Sequence, residues 1–162
     1  MGTKGHKDDE AGFSPWHAAY KLEKYNKGLG PERPQEPDEV IEFESNLLMN
    51  AGITVLLGLL IGDGSTDFDD TNGYLGVGNS STAAGATQTD LQGASKTRVN
   101  VDSIPTRSSQ TLTFVATFGS AVANFAWEEV GIFNASSGGT MLSRRVSSLG
   151  TKASGATWVL TV

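Results

Sequence analysis

Acid–base chemistry is the first possibility the residue types raise. Glu128 and Glu129 stand side by side inside the aromatic run NFAWEEVGIFN, from Asn124 to Asn134. Glycoside cleavage needs two carboxyl groups about 5–9 Å apart across one bond. Neighbours on a strand point to opposite faces, so these two glutamates cannot flank a bond together. A hydrolase would need a nucleophile, a base and an orienting group within reach of one another. The only histidines, His6 and His17, fall in a polar N-terminal stretch, and there is no G-x-S-x-G elbow. The chain has no cysteine, which excludes disulfides and thiolate metal sites. The expectation is a protein that is not an enzyme and uses no cofactor.

Metal and phosphate chemistry fare no better. Asp63, Asp67, Asp69 and Asp70 crowd the loop GDGSTDFDDTN and suggest calcium. An EF-hand loop wants glycine at its sixth position and glutamate at its twelfth. Counted from Asp67, those positions hold Asn72 and Gly78, so a solvated loop without metal is expected. The GxG of GYLGVGNSS has Ser81 where a dinucleotide fingerprint needs its third glycine, and no clear helix follows. A net charge of −6 argues against a non-specific nucleic-acid binder, which needs a basic face. The longest apolar segment, Leu47–Ile61, spans 15 residues and is interrupted by Asn50, Gly52, Thr54 and Gly58. A membrane span takes about 20 mostly apolar residues. The N-terminus shows no apolar signal region. Neither nucleic acid nor a membrane is an expected partner.

The elements that would position these groups are mostly strands. Aromatic and β-branched side chains suit a pleated, half-buried surface, which makes Asn124–Asn134 a natural central strand. Alternation puts Trp127, Glu129, Gly131 and Phe133 on one face and Ala126, Glu128, Val130 and Ile132 on the other. Glu129 would then share the core side with Trp127 and Phe133. A buried carboxylate must be paired, because its desolvation cost is large. Arg98, Arg107, Arg144 and Arg145 are the available partners, and the role expected is structural, a charge that fixes strand register. Thr111–Phe118 alternates clearly, with Leu112, Phe114, Ala116 and Phe118 inside. Phe114, Phe118, Trp127 and Phe133 are the expected core.

Further strands are expected at Gly73–Ser81, Thr97–Ile104 and Thr157–Val162. Phe125–Phe133 and Met141–Ser147 should form a hairpin around SSGGT. Ser45 or Asn46 can cap a helix reaching Ile61, whose apolar residues recur at helical spacing. The fold class predicted is mainly β, an antiparallel β-sandwich or open barrel with one packed helix, plus an extended N-terminal arm.

Composition sets that arm apart. Residues 1–45 hold ten of the 18 acidic residues, both histidines and four of the five prolines. This places a boundary near Glu44, with a docking arm over 1–45 and a β-rich domain over 46–162. Within the arm, Ser14 can cap a helix that begins at Pro15. Trp16, Ala19, Tyr20 and Glu23 then share one side, and Gly28 stops it. Gly30–Pro37 reads as a stiff extended spacer. Disordered tails are poor in aromatics whereas interface anchors are rich in them. Phe13, Trp16, Tyr20 and Tyr25 are therefore the expected interface of the arm with a neighbouring subunit.

From Tyr74 to Arg145 the chain resembles the N-terminal domain of bacteriophage tail-collar fibre proteins and related virion structural proteins. In that family a VG(D/N) turn precedes a leucine, an arginine-bearing strand and an E-x-G-(I/L)-F strand. The matching residues are Val77–Gly78–Asn79, Leu91, Arg98 and Glu129–Val130–Gly131–Ile132–Phe133. Glu129 and Arg98 are the structural charge pair expected. The resemblance implies a non-enzymatic virion component, often a homo-oligomer. Its partners would be portal or neck, tail or major capsid proteins, and assembly would take place in the host cytoplasm. Collar fibres continue into a shaft and receptor-binding tip, whereas here an arm comes first and the chain ends after the domain. That difference favours a connector, collar, baseplate or capsid-surface piece over a receptor binder. The alternatives are a capsid decoration protein and a carbohydrate-binding module using Tyr74 and Trp158.

Overall fold

The computed structural model describes residues 16–28 and 36–162. In chain order the strands are β1 (Ala19–Tyr25), β2 (Glu39–Glu44) and β3 (Leu47–Leu48), followed by the helix α1 (Asn50–Ile61). Then come β4 (Tyr74–Gly78), β5 (Lys96–Asn100), β6 (Thr106–Ser108), β7 (Thr111–Thr113) and β8 (Val115–Phe118). The last three are β9 (Ala126–Phe133), β10 (Met141–Thr151) and β11 (Thr157–Thr161).

One sheet has the order β2-β1-β11-β8, and the second has the order β3-β10-β9-β4-β5, with every neighbouring pair antiparallel. The two sheets share a core in which Tyr20, Leu22, Phe118, Trp158 and Leu160 meet Leu75, Val77, Val130, Ile132 and Leu142. The mainly β class with one helix is what the strand periodicity predicts. Trp127 stands at the centre, edge-on to both Phe118 and Trp158 with ring centroids 4.7 and 4.8 Å apart. Its indole N–H donates to the Ala123 carbonyl at 2.9 Å.

The N-terminal segment departs most from the sequence-based expectation. Residues 19–25 are a strand, not part of a helix, and they lie between β2 and β11. Tyr20, Leu22 and Lys24 all point inward. Lys24 hid this period-two pattern, because a lysine is rarely buried unless paired. Its ammonium sits 4.6 Å from the centroid of the Trp158 ring and 3.0 Å from Glu39. A lone helix of about twelve residues is marginal in water, whereas β1 is hydrogen-bonded along both edges. The boundary placed near Glu44 therefore falls inside the sandwich. Phe13, Ser14, Pro15 and most of the spacer lie outside the described residues.

Two other expectations also need correcting. Thr111–Phe118 is not one strand, because β7 pairs with β6 in a separate hairpin and leaves Leu112 exposed. Phe114, Ala116 and Phe118 are buried as expected. Trp127 and Phe133 belong to different layers, Trp127 to the main core and Phe133 to a second cluster with Met49, Leu91 and Met141. The pairing of β9 with β10 is irregular between Val146 and Gly150, beside this change of layer.

Candidate functional site

Glu129 is fully buried, but on the face it shares with Phe133 and the loop 79–95 rather than with Trp127, and its partner is Arg144 rather than Arg98. Arg144 Nε donates to Glu129 Oε2 at 2.7 Å, and both side chains are sealed from solvent. The backbone N–H groups of Gln92 and Gly93 donate to the same carboxylate at 3.0 and 2.7 Å. The rest of the guanidinium donates to Gln88 Oε1 at 3.0 Å and to the Thr82 carbonyl at 2.8 Å. The pair thus fastens four points of the loop 79–95 to the sheet. Gly78 lies opposite Glu129 on β4, and a side chain there would fall on the carboxylate.

Arg98 is two strands away from Glu129, on β5. Its guanidinium stacks 3.6 Å over the Phe133 ring and donates to the carbonyls of Ala135 and Gly138 at 2.9 and 2.8 Å. It also pairs with Asp90 at 2.8 Å, which Lys96 contacts at the same distance. Partial burial pushes the Asp90 carboxyl up, but hydrogen bonds from Lys96, Arg98 and the Leu91 N–H outweigh it and hold the group below its usual range. Gly78, Leu91, Arg98, Glu129, Gly131 and Phe133 thus converge on one face of the second sheet and on the loop that covers it, whereas Val77, Val130 and Ile132 point into the main core. Asn79 closes the loop, its side-chain oxygen accepting from the Ser95 N–H at 3.0 Å.

Residue typing offered Arg144 only as one of four possible partners and missed Asp90 and Gln88. Arg144 was within reach: the hairpin sets it opposite Gly131, and same-face neighbours on adjacent strands lie close enough for long side chains to meet. Beside the pair, a cleft of about 430 Å³ runs between Asn46 and Arg145. Its lining offers hydrogen-bond donors and hydroxyls but includes no carboxylate or histidine. The aspartates of 63–70 serve the turn: Asp63 accepts from Ser65, and Asp69 from the N–H groups of Thr71 and Asn72.

The aromatic residues expected to form an interface do not make one patch. Trp16 is 50% exposed, whereas Tyr20 is buried and stacked on Phe43 with centroids 4.7 Å apart. Tyr25 is half-buried at the end of β1, and Phe13 lies outside the described residues. Trp158 is a core residue, which removes it as a platform for sugar.

Among the described residues, half of the exposed large apolar side chains lie instead on α1. Gly52 packs against the backbone of β10, where a Cβ would come within 2.6 Å of the Leu142 carbonyl oxygen. Val55, Leu56 and Leu59 pack on the core from the same side. The opposite stripe, Ile53, Leu57, Leu60 and Ile61, is also apolar and faces solvent, with Leu60 and Ile61 81% and 78% exposed. The helix contains no charged residue. Sequence periodicity could not assign the outer stripe, because both faces satisfy the helical repeat.

Comparison of the chain with family models, with curated proteins and with solved structures finds no match.

Proposed function

We propose that this chain is a non-enzymatic structural component of a bacteriophage virion, a fibre-like piece of the tail, collar, neck or baseplate held by other virion proteins. The observation that carries the assembly part is the uncharged outer stripe of α1. Fully burying a leucine or isoleucine is worth about 1.5–3 kcal/mol, so the four exposed residues leave on the order of 5 kcal/mol unrealised in the isolated chain. A globular domain commonly points such a helix face inward or covers it. The phage part is supported by the resemblance, whose short motifs come together in the network around Glu129, Arg98 and Leu91. β1 and β2 are integral to the sandwich and so are not a free arm, and among the described residues α1 offers the grip.

The test is a paired substitution, Leu57→Ser with Leu60→Ser. Both side chains are exposed, so the melting temperature should change little. Incorporation into particles, measured by quantitative blotting of purified virions, should fall at least tenfold. Normal incorporation of a folded double variant overturns the assignment of the grip to α1.

A further inference from the structure

We infer that the outer face of α1 and the acidic loop behind it form one docking surface, whose occupant is a different protein with an apolar groove rimmed by lysine or arginine. The inference rests on the assembly reading above and adds the chemistry of the partner. α1 ends at Gly62, which takes a left-handed conformation and turns the chain into 62–72. That loop carries Asp63, Asp67, Asp69 and Asp70 and no basic residue. Asp63 folds back against the helix end, its N–H donating to the Gly58 carbonyl at 3.1 Å. Phe68 is buried and anchors the loop to the core.

Asp63, Asp67 and Asp70 are exposed, and no lysine or arginine among the described residues pairs with them. A helix C-terminus carries partial negative charge of its own, so Leu60 and Ile61 stand at the edge of an electronegative rim. A partner that buries them must face that rim.

A second copy fits this surface poorly. Residues 49–72 contain no lysine or arginine, so two copies meeting here bring carboxylates without a cation. Area points the same way. A helix rises about 1.5 Å per residue and is about 10 Å wide, which gives three turns a face far smaller than the roughly 800 Å² per partner of a stable interface. A groove that takes the helix face and the loop together buries more than a flat pairing of helices. Helix-in-groove recognition supplies apolar anchoring, while charge at the rim sets partner choice and encounter rate.

The experiment uses the full chain and two labelled peptides, each folded as a two-helix hairpin that presents the same leucine-lined groove. One peptide is flanked by lysines and the other by glutamates, and binding is read by fluorescence anisotropy. The lysine peptide should bind at least tenfold more tightly, with the difference closing as salt is raised to screen the rim. Leu57→Ser with Leu60→Ser should abolish binding of both, and Asp67→Asn with Asp70→Asn should narrow the gap between them. Equal binding of the two peptides, or binding of neither, overturns the inference. So does self-association of the chain that the leucine substitutions remove. Failed incorporation of the leucine variant together with equal peptide binding sinks the basic rim and leaves the assembly reading standing.

Discussion

A single buried carboxylate decides how the loop 79–95 sits. Removing the charge of Glu129 leaves Arg144 buried without its counterion, and breaking such a pair costs about 3–5 kcal/mol. Glu129→Gln should therefore lower the melting temperature sharply in a thermal scan, and a double-mutant cycle with Arg144→Met should show strong coupling. The same cycle run with Arg98→Gln should show much less, because Arg98 is engaged with Asp90 and Phe133 instead. Tyr20 supplies a pH-dependent term. Its hydroxyl is buried beside Ser143 Oγ without a well-formed hydrogen bond. Burial raises its pKa from 10.0 to about 12, partly offset by Ser143 and the Arg145 charge. In the unfolded chain the phenol ionises near pH 10 while the folded chain still holds the proton. Stability is thus complete below pH 10 and falls by about 2–3 kcal/mol as pH rises towards 12. Buried Lys152 acts in the opposite sense, because its pKa is lowered and alkali relieves its desolvation. Urea melts of the wild type and Tyr20→Phe between pH 9 and about 12 isolate the tyrosine term. The alkaline decline should be shallower in the variant.

Among the elements, α1 shows why helix propensity misleads when read alone. Gly52 weakens an isolated helix by about 1 kcal/mol relative to alanine. In the fold it lets the helix backbone rest on β10, and the atoms a methyl group would meet are backbone atoms that cannot swing away. Overpacking of this kind costs about 1–3 kcal/mol, so Gly52→Ala should destabilise in a chemical melt despite its better propensity. Gly58→Ala should cost less, since the atoms it meets belong to the side chains of Asp63 and Ser65. The same contrast explains what was legible in the sequence. β4, β9, β10 and β11 carry their own alternation and turns and are readable locally. β1 also alternates, but Lys24 occupies an inward position and its preceding Ser-Pro imitates a helix start. Only pairing with β2 and β11, distant in sequence, makes it a strand. Glu129 is buried as expected, but by the loop 79–95 rather than beside Trp127, and its partner depended on the register of a hairpin.

At the scale of the whole molecule, residues 16–25 and 39–44 cannot be treated as an appendage. Removing residues 1–40 takes β1 out from between β2 and β11 and exposes Phe43, Trp158 and Leu160. That truncation should lose cooperative melting and aggregate on size-exclusion chromatography. The pairing of Lys21 with Thr161 has a consequence for biosynthesis. The first sheet cannot close until β11 has left the ribosome, so during translation β1 waits with one edge unpaired while α1 already displays leucine to solvent. Until β11 arrives, the unpaired edge and the exposed leucines leave the nascent chain open to aggregation.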